Sequence, residues 1–168
     1  MILKLVGCGV LLLAGGFVSV SLTRFEHRRL RVLDGYIALI HYIKGQIDCY
    51  AMPLADIFAR VDPTIISACL GLEADTPVSL PTAMGGHPLP HMVQESRLYL
   101  EPEAERLLNA FTEELGTAYR AQQVARCEHY LEALTEERKR LNDTLPARLR
   151  VICVLCLCCT LGVAVLLW

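Results

Sequence analysis

Two stretches without a single charged side chain bracket this chain: Leu5 to Leu22 and Val151 to Trp168, 18 residues each. At about 1.5 Å of rise per residue, a helix of that length spans roughly 27 Å, just enough to cross a hydrocarbon core of about 30 Å. Both therefore read as transmembrane helices, placed at 2–23 and 147–168, with a helical domain at 24–146 between them. The 168 residues leave room for one such domain. Only 20% of residues are charged, and nearly all of them lie in that middle stretch with both signs mixed. A net charge of −2 gives no basis for a nucleic-acid surface.

The flanks set the orientation. Arg24, Arg28, Arg29 and Arg31 follow the first span, against Lys4 and the amino terminus before it. Arg138, Lys139, Arg140, Arg148 and Arg150 precede the second, and no charged side chain follows it. Both asymmetries place the middle of the chain in the cytosol by the positive-inside rule. A cleaved signal peptide is the competing reading of residues 1–22. It fits less well, because there is one basic residue in front, no clear small-x-small cleavage site, and a dense basic block just behind.

The middle reads as helices broken by proline. From Arg24 to Tyr50 there is no proline, and Leu30, Leu33, Ile37, Ile40 and Ile47 form one apolar stripe with Tyr36, Leu39, Ile43 and Tyr50 beside it. Gly35 and Gly45 weaken this helix slightly. Met52-Pro53 ends it, and short helices are predicted at Leu54–Val61 and Ile65–Leu72. Gly71 to Pro90 is loop by composition. Helix is expected again over His91–Leu100 and from Pro102 to Leu115, with Gly116 at a C-cap position. The last cytosolic helix, Thr117–Leu145, carries Val124, Cys127, Leu131, Leu134, Leu141 and Leu145 on one stripe. Glu128, Glu132, Glu136, Glu137 and Arg140 lie on the other face, which reads as solvated. Pro146 marks its end, with Thr144 placed to cap the second span. The fold class is all-α: an antiparallel helical bundle flanked by two transmembrane helices.

Chemistry is hard to find. Cys153 and Cys156 form C-x-x-C, with Cys158 and Cys159 just beyond, but inside an uncharged apolar run where a thiolate is costly. Plain membrane-helix cysteine is the simplest reading; acylation near Cys153 and metal or redox work are the others. His87 and His91 are separated by Pro88-Leu89-Pro90, His41 and His129 have no ligand-spaced partner on the same face, and His27 joins the basic juxtamembrane block. There is no P-loop, G-x-S-x-G or H-E-x-x-H motif. No enzyme activity, metal or cofactor is expected. A membrane-anchored domain that binds other proteins remains, possible homo-oligomers included, with a membrane-tethered thiol or metal sensor built on the C-terminal cysteines as the alternative.

Several short motifs then point to a family. Tyr50-Ala51-Met52-Pro53-Leu54 opens a short helix, and Phe111 and Leu115-Gly116 are followed by a glutamine, Gln122 or Gln123, that leads into the long charged helix and final span. With the basic block after the first span, this layout resembles the stage III sporulation protein AB family over essentially the whole chain. Thr117-Ala118-Tyr119 stands where the family often has serine-aspartate after Leu-Gly. The resemblance implies a domain similar to the cytoplasmic domains of type II secretion platform proteins. It also implies a non-catalytic role in the secretion-like complex of the outer forespore membrane, facing the mother-cell cytosol. The implied partners are a stage III sporulation protein AA-type ATPase, other membrane proteins of the complex, and membrane lipid. On that reading Glu113, Glu114, Gln123, Glu128 and Glu132, with Glu136 nearby, are the candidate docking surface.

Overall fold

A computed structural model describes the backbone at 2–50, 52–72 and 88–167, and side chains at 16–50, 52–72, 88–159 and 162. Its described residues are helical throughout, without strands. In order these are α1 (Ile2–Tyr50), α2 (Leu54–Ala59), α3 (Pro63–Cys69), α4 (Leu89–Ser96), a 3-10 turn (Arg97–Tyr99), α5 (Pro102–Glu114) and α6 (Arg120–Leu167). The all-α expectation holds. Two compact units emerge: Met1–His27 with Leu141–Trp168, and Arg28–Arg140.

The larger unit, Arg28–Arg140, is built around α1. Val32, Leu33, Tyr36, Leu39, Ile40, Ile43 and Ile47 are buried, so two apolar stripes face two sets of partners. Ile57 and Phe58 of α2, Ile66 and Cys69 of α3, and Met92 and Val93 of α4 are buried in the core around it. Leu108 and Phe111 of α5, and Cys127, Tyr130 and Leu134 of α6, join the same core. Tyr50, the last residue of α1, departs from its expected stripe: it is 70% exposed, while Ile47 in the same turn is buried.

Ion pairs give the α1–α6 register. Lys44 pairs with Glu128 at 2.7 Å, and Asp34 with Arg138, so the two helices run antiparallel in this unit. Gly35 explains itself here. A Cβ at that position would lie 2.7 Å from the Cys69 backbone nitrogen and 2.8 Å from the Ala68 carbonyl carbon. The glycine therefore allows α3 to approach α1 at backbone contact, and the small loss of helix propensity is offset by packing.

Local chemistry sets the helix ends. Asp62 caps α3 by accepting from the Thr64 N–H at 2.8 Å, and its carboxyl is held below the usual carboxylate range by the hydrogen bonds from Thr64. This moves α3 to Pro63–Cys69, two residues earlier than the hydrophobic pattern alone suggests. The expected loop at 71–90 falls mostly on residues 73–87, outside the described residues, and α4 starts at Leu89.

The expected stop at Pro146 is not observed. α6 continues through Pro146 to Leu167. Thr144 does not cap a new helix; its hydroxyl donates to the Leu141 carbonyl at 3.1 Å. A proline removes one backbone donor, and a helix held on both sides of it can absorb that loss.

In the smaller unit, Ser19 Oγ and Cys153 Sγ lie 3.4 Å apart. Phe17, Val20, Val154 and Leu155 turn their side chains outward. Among the described residues no helix is long and apolar enough to cross a membrane. The spans expected at 5–22 and 151–168 lie partly outside the residues whose side chains are described, at 5–15, 160, 161 and 163–168.

Candidate docking surface

The acidic residues expected to form one surface meet different fates. Glu113, on the last turn of α5, is exposed, and so are Glu132 and Glu136 on α6. Glu128 is engaged with Lys44, whose amine that hydrogen bond raises above its usual pKa. Glu114 lies 3.7 Å from Arg126. Burial raises the Tyr130 phenol, and the Glu114 carboxylate raises it further.

Gln123 is not a surface residue. It is buried, and its side-chain oxygen accepts the Gly116 N–H at 3.3 Å. Gly116 itself has φ +82, left-handed backbone that favours glycine, and a Cβ there would meet Leu54 Cδ1 at 2.7 Å. Arg126 completes the corner, donating to the Glu114 carbonyl at 3.3 Å and to Thr117 Oγ1 at 3.0 Å. The Leu-Gly and glutamine features of the sequence thus build the α5–α6 turn rather than a contact surface. A glutamine one turn into a charged helix looks like a surface residue; only the fold shows that the Gly116 N–H waits for it.

The basic residues divide in the same way. Arg28 and Arg31 are exposed. Arg29 donates to Glu101 at 3.1 Å, and Arg140 reaches the other Glu101 oxygen at 3.5 Å and Glu137 at 3.0 Å. Glu101 and Glu137 are only 16% and 15% exposed, so this network joins α1, the start of α5 and α6. Glu137, expected on a solvated face, is mostly covered, whereas Arg140 is exposed as expected and still reaches both carboxylates. Arg24, Arg148 and Arg150 belong to the other unit and are exposed.

The titratable core is closed to chemistry. Tyr36 donates to Ser96 at 2.7 Å, and Ser96 donates onward to the Val93 carbonyl at 3.3 Å, all of it buried. Burial raises the Tyr36 phenol and the Cys69 thiol far above their ordinary values and pushes Cys127 up to about 11. Neutral thiols of this kind are poor nucleophiles and poor ligands. Cys153, Cys158 and Cys159 are exposed and Cys156 is half-buried. Among the described residues, no three His, Cys, Asp or Glu side chains gather where they could hold a metal ion.

Comparison with known proteins places this arrangement. No curated protein and no solved structure matches the chain. The family model for stage III sporulation protein AB matches residues 4–168. That match covers essentially the whole sequence, and it includes the α5–α6 corner and the basic blocks described above. The chain therefore belongs to the stage III sporulation protein AB family, and its membership implies a role in stage III sporulation.

Proposed function

We propose that this protein is a non-catalytic platform component of the secretion-like complex between mother cell and forespore, anchored in the outer forespore membrane at both ends. The observation that carries this reading is the family match over residues 4–168 on a chain whose two uncharged 18-residue runs bracket an all-helical domain. Outward-facing Phe17, Val20, Val154 and Leu155 suit a lipid environment, since soluble surfaces rarely carry such patches. The basic flanks Arg24, Arg28, Arg29, Arg31, Arg148 and Arg150 suit a domain held on the cytosolic side, beside anionic lipid.

In this role the domain docks the AA-type ATPase and adds no chemistry of its own. Its fold is the counterpart of the type II secretion platform domain. Of the acidic candidates, Glu113, Glu132 and Glu136 are exposed and available to a partner. The test is deletion of the gene in the organism that carries it, scored for forespore gene expression after engulfment. Loss of late forespore expression, restored by the wild-type gene, is expected. Normal expression in the deletion strain would remove the proposal.

A further inference from the structure

Leu98, in the 3-10 turn, is 72% exposed, and Leu72, just after α3, is 38% exposed. A lone exposed leucine is ordinary on a protein surface. These two share one end of the Arg28–Arg140 unit, and bonded neighbours place it. Tyr36 of α1 bonds to Ser96 at the end of α4, whereas Arg29 donates to the Tyr99 carbonyl at 3.4 Å. The chain therefore moves two turns toward the start of α1 as it passes from α4 through the 3-10 turn. α5 leads away again: Glu101 meets Arg29 and Arg140, while Phe111 packs on Tyr130, earlier on α6, with ring centroids 5.4 Å apart. Gly71 brings the exit of α3 to the same end, since a Cβ there would lie 3.1 Å from Val32 and 3.2 Å from the Tyr99 ring.

The course of the two long helices narrows what covers this end. From it, α1 continues back from Arg28 to Ile2 and α6 continues forward from Arg140 to Leu167, each into an uncharged run of 18 residues. Arg29 stands seven residues from Leu22, where the first run ends, which is two turns of helix. A bilayer that takes up both runs has its surface at this end of the unit.

Charge points to the same occupant. Residues 24–31 and 138–150 together carry nine Lys and Arg against two Asp and Glu. Within the unit, Arg28, Arg31 and Lys139 are exposed, and among the described residues no ion pair engages them. Glu101, Glu103 and Glu105, which follow the 3-10 turn, are each paired with an arginine. Exposed Glu136 and Glu95 lie further from the runs, Glu136 before the Arg138 that meets Asp34 and Glu95 before the Ser96 that meets Tyr36. The outermost layer is thus cationic with leucine in it. A second copy of the same end would bring the same cations and be repelled, whereas lipid phosphates would be attracted.

We propose that the 3-10 turn is a third membrane contact of this protein, in which Leu98, with Leu72 at the same end, lodges at headgroup level in an anionic bilayer while Arg28, Arg31 and Lys139 meet lipid phosphates. Apolar side chains set among cations are the composition of segments that lie in a membrane interface. The inference rests on the membrane-anchored platform reading and goes beyond it, because it holds the domain against the bilayer through a segment that neither uncharged run contains.

The experiment uses the full-length chain in nanodiscs of phosphatidylcholine, with or without phosphatidylglycerol, and Trp168→Phe to remove the native tryptophan. Fluorescence is then read from Leu98→Trp, Phe17→Trp or Tyr50→Trp, against lipids that carry a nitroxide quencher on the headgroup or along the acyl chain. Leu98→Trp is expected to lose most of its emission to the headgroup nitroxide, more with phosphatidylglycerol present and less with added salt. Phe17→Trp, in the first run, should be quenched by the acyl-chain nitroxide whatever the lipid charge, and Tyr50→Trp, at the end of α1, by neither. The wild-type chain gives a second reading free of these substitutions: amide hydrogen exchange at 97–100 should slow several-fold when phosphatidylglycerol is added. Quenching at Phe17→Trp without quenching at Leu98→Trp would overturn this contact and leave the anchored reading intact. Quenching or exchange at the turn that ignores phosphatidylglycerol would do the same. No quenching at Phe17→Trp would overturn the anchored reading and this inference with it. Shielding of Leu98→Trp that appears only when the AA-type ATPase is added would assign the turn to a protein partner and overturn the proposal.

Discussion

Gly35 and Gly116 show how much rests on single backbone positions. At Gly35 there is no space: a Cβ would sit within 2.8 Å of two α3 backbone atoms, and backbone cannot swing aside as a side-chain tip can. Gly35→Ala is expected to destabilise the protein by about 1–3 kcal/mol, read as a lower denaturation midpoint of the full chain in detergent. Gly45, with open space around its Cβ position, is the internal control, and Gly45→Ala should be neutral or mildly stabilising. At Gly116 the penalty is conformational as well as steric, about 1–2 kcal/mol for alanine at positive φ before Leu54 adjusts. The buried thiols and Tyr36 give a pH signature with a definite sign. Their folded-state pKa values are raised by burial, so the fold favours the neutral forms. That stability is fully present below the ordinary thiol value of 9.0 and is lost as pH rises through about 11, where Cys127 ionises in the fold. Denaturation midpoints taken across pH 8 to 11 should fall, and Cys127→Ala should make the fall shallower.

At the scale of elements, the contrast between two ion-pair sites is instructive. Asp34 and Arg138 are each 47% exposed, so water competes for both partners and the pair contributes little, on the order of 0–1 kcal/mol. Glu101 is 16% exposed and accepts from Arg29 and Arg140 on two different helices. Removing its charge weakens the hold on both guanidinium groups, although Arg140 keeps Glu137 and Arg29 keeps the Tyr99 carbonyl. Glu101→Gln is therefore expected to cost about 1–3 kcal/mol, clearly more than Asp34→Asn, in parallel chemical denaturation. Pro146 is the other element-scale feature. Inside α6 it forgoes one helical hydrogen bond, and Pro146→Ala should stabilise the helix, by up to about 3 kcal/mol, with increased resistance to thermal loss of helical circular dichroism. No stabilisation would mean that the proline's position is matched to a bend the rest of the helix requires.

For the whole molecule, the distribution of charge is the organising fact. Exposed Arg28 and Arg31 lie at one end of the α1 segment within the Arg28–Arg140 unit, whereas Asp48 and exposed Tyr50 lie at the other. Such segregation suits a domain that keeps one end toward an anionic surface and offers the other to a soluble partner. The membrane reading leads to a direct prediction. The full-length protein should stay in the membrane fraction through alkaline carbonate extraction, and Cys49, exposed at the end of α1, should react with a membrane-impermeant maleimide only after the cytosolic side is opened. Replacing Arg24, Arg28, Arg31, Arg148 and Arg150 together with glutamine should scramble that sidedness. Labelling of Cys49 from outside intact wild-type cells would contradict the orientation.

Much of this protein was legible before any coordinates. Helix type and most boundaries derive from proline, glycine and hydrophobic period, which act over a few residues and leave a local record: α5 begins at Pro102 and its exit turns at Gly116, both as the residues suggest. The order of spans, basic blocks and short motifs likewise sufficed to suggest the family. The features that the sequence could not reveal depend on neighbours distant along the chain. Gly35 reads as a weak point until α3 is seen lying on it, and Gln123 as a surface residue until the Gly116 N–H is found beneath it. Glu137 looks solvated until packing leaves it 15% exposed, and Tyr50 looks buried until it proves 70% exposed at the end of α1. Local rules determine which segments are helices. Whether a given polar or aromatic side chain ends inside, in a network or in water is decided by the packing of those helices, because desolvation and hydrogen-bond satisfaction depend on all the atoms around a group and not on its place in the sequence.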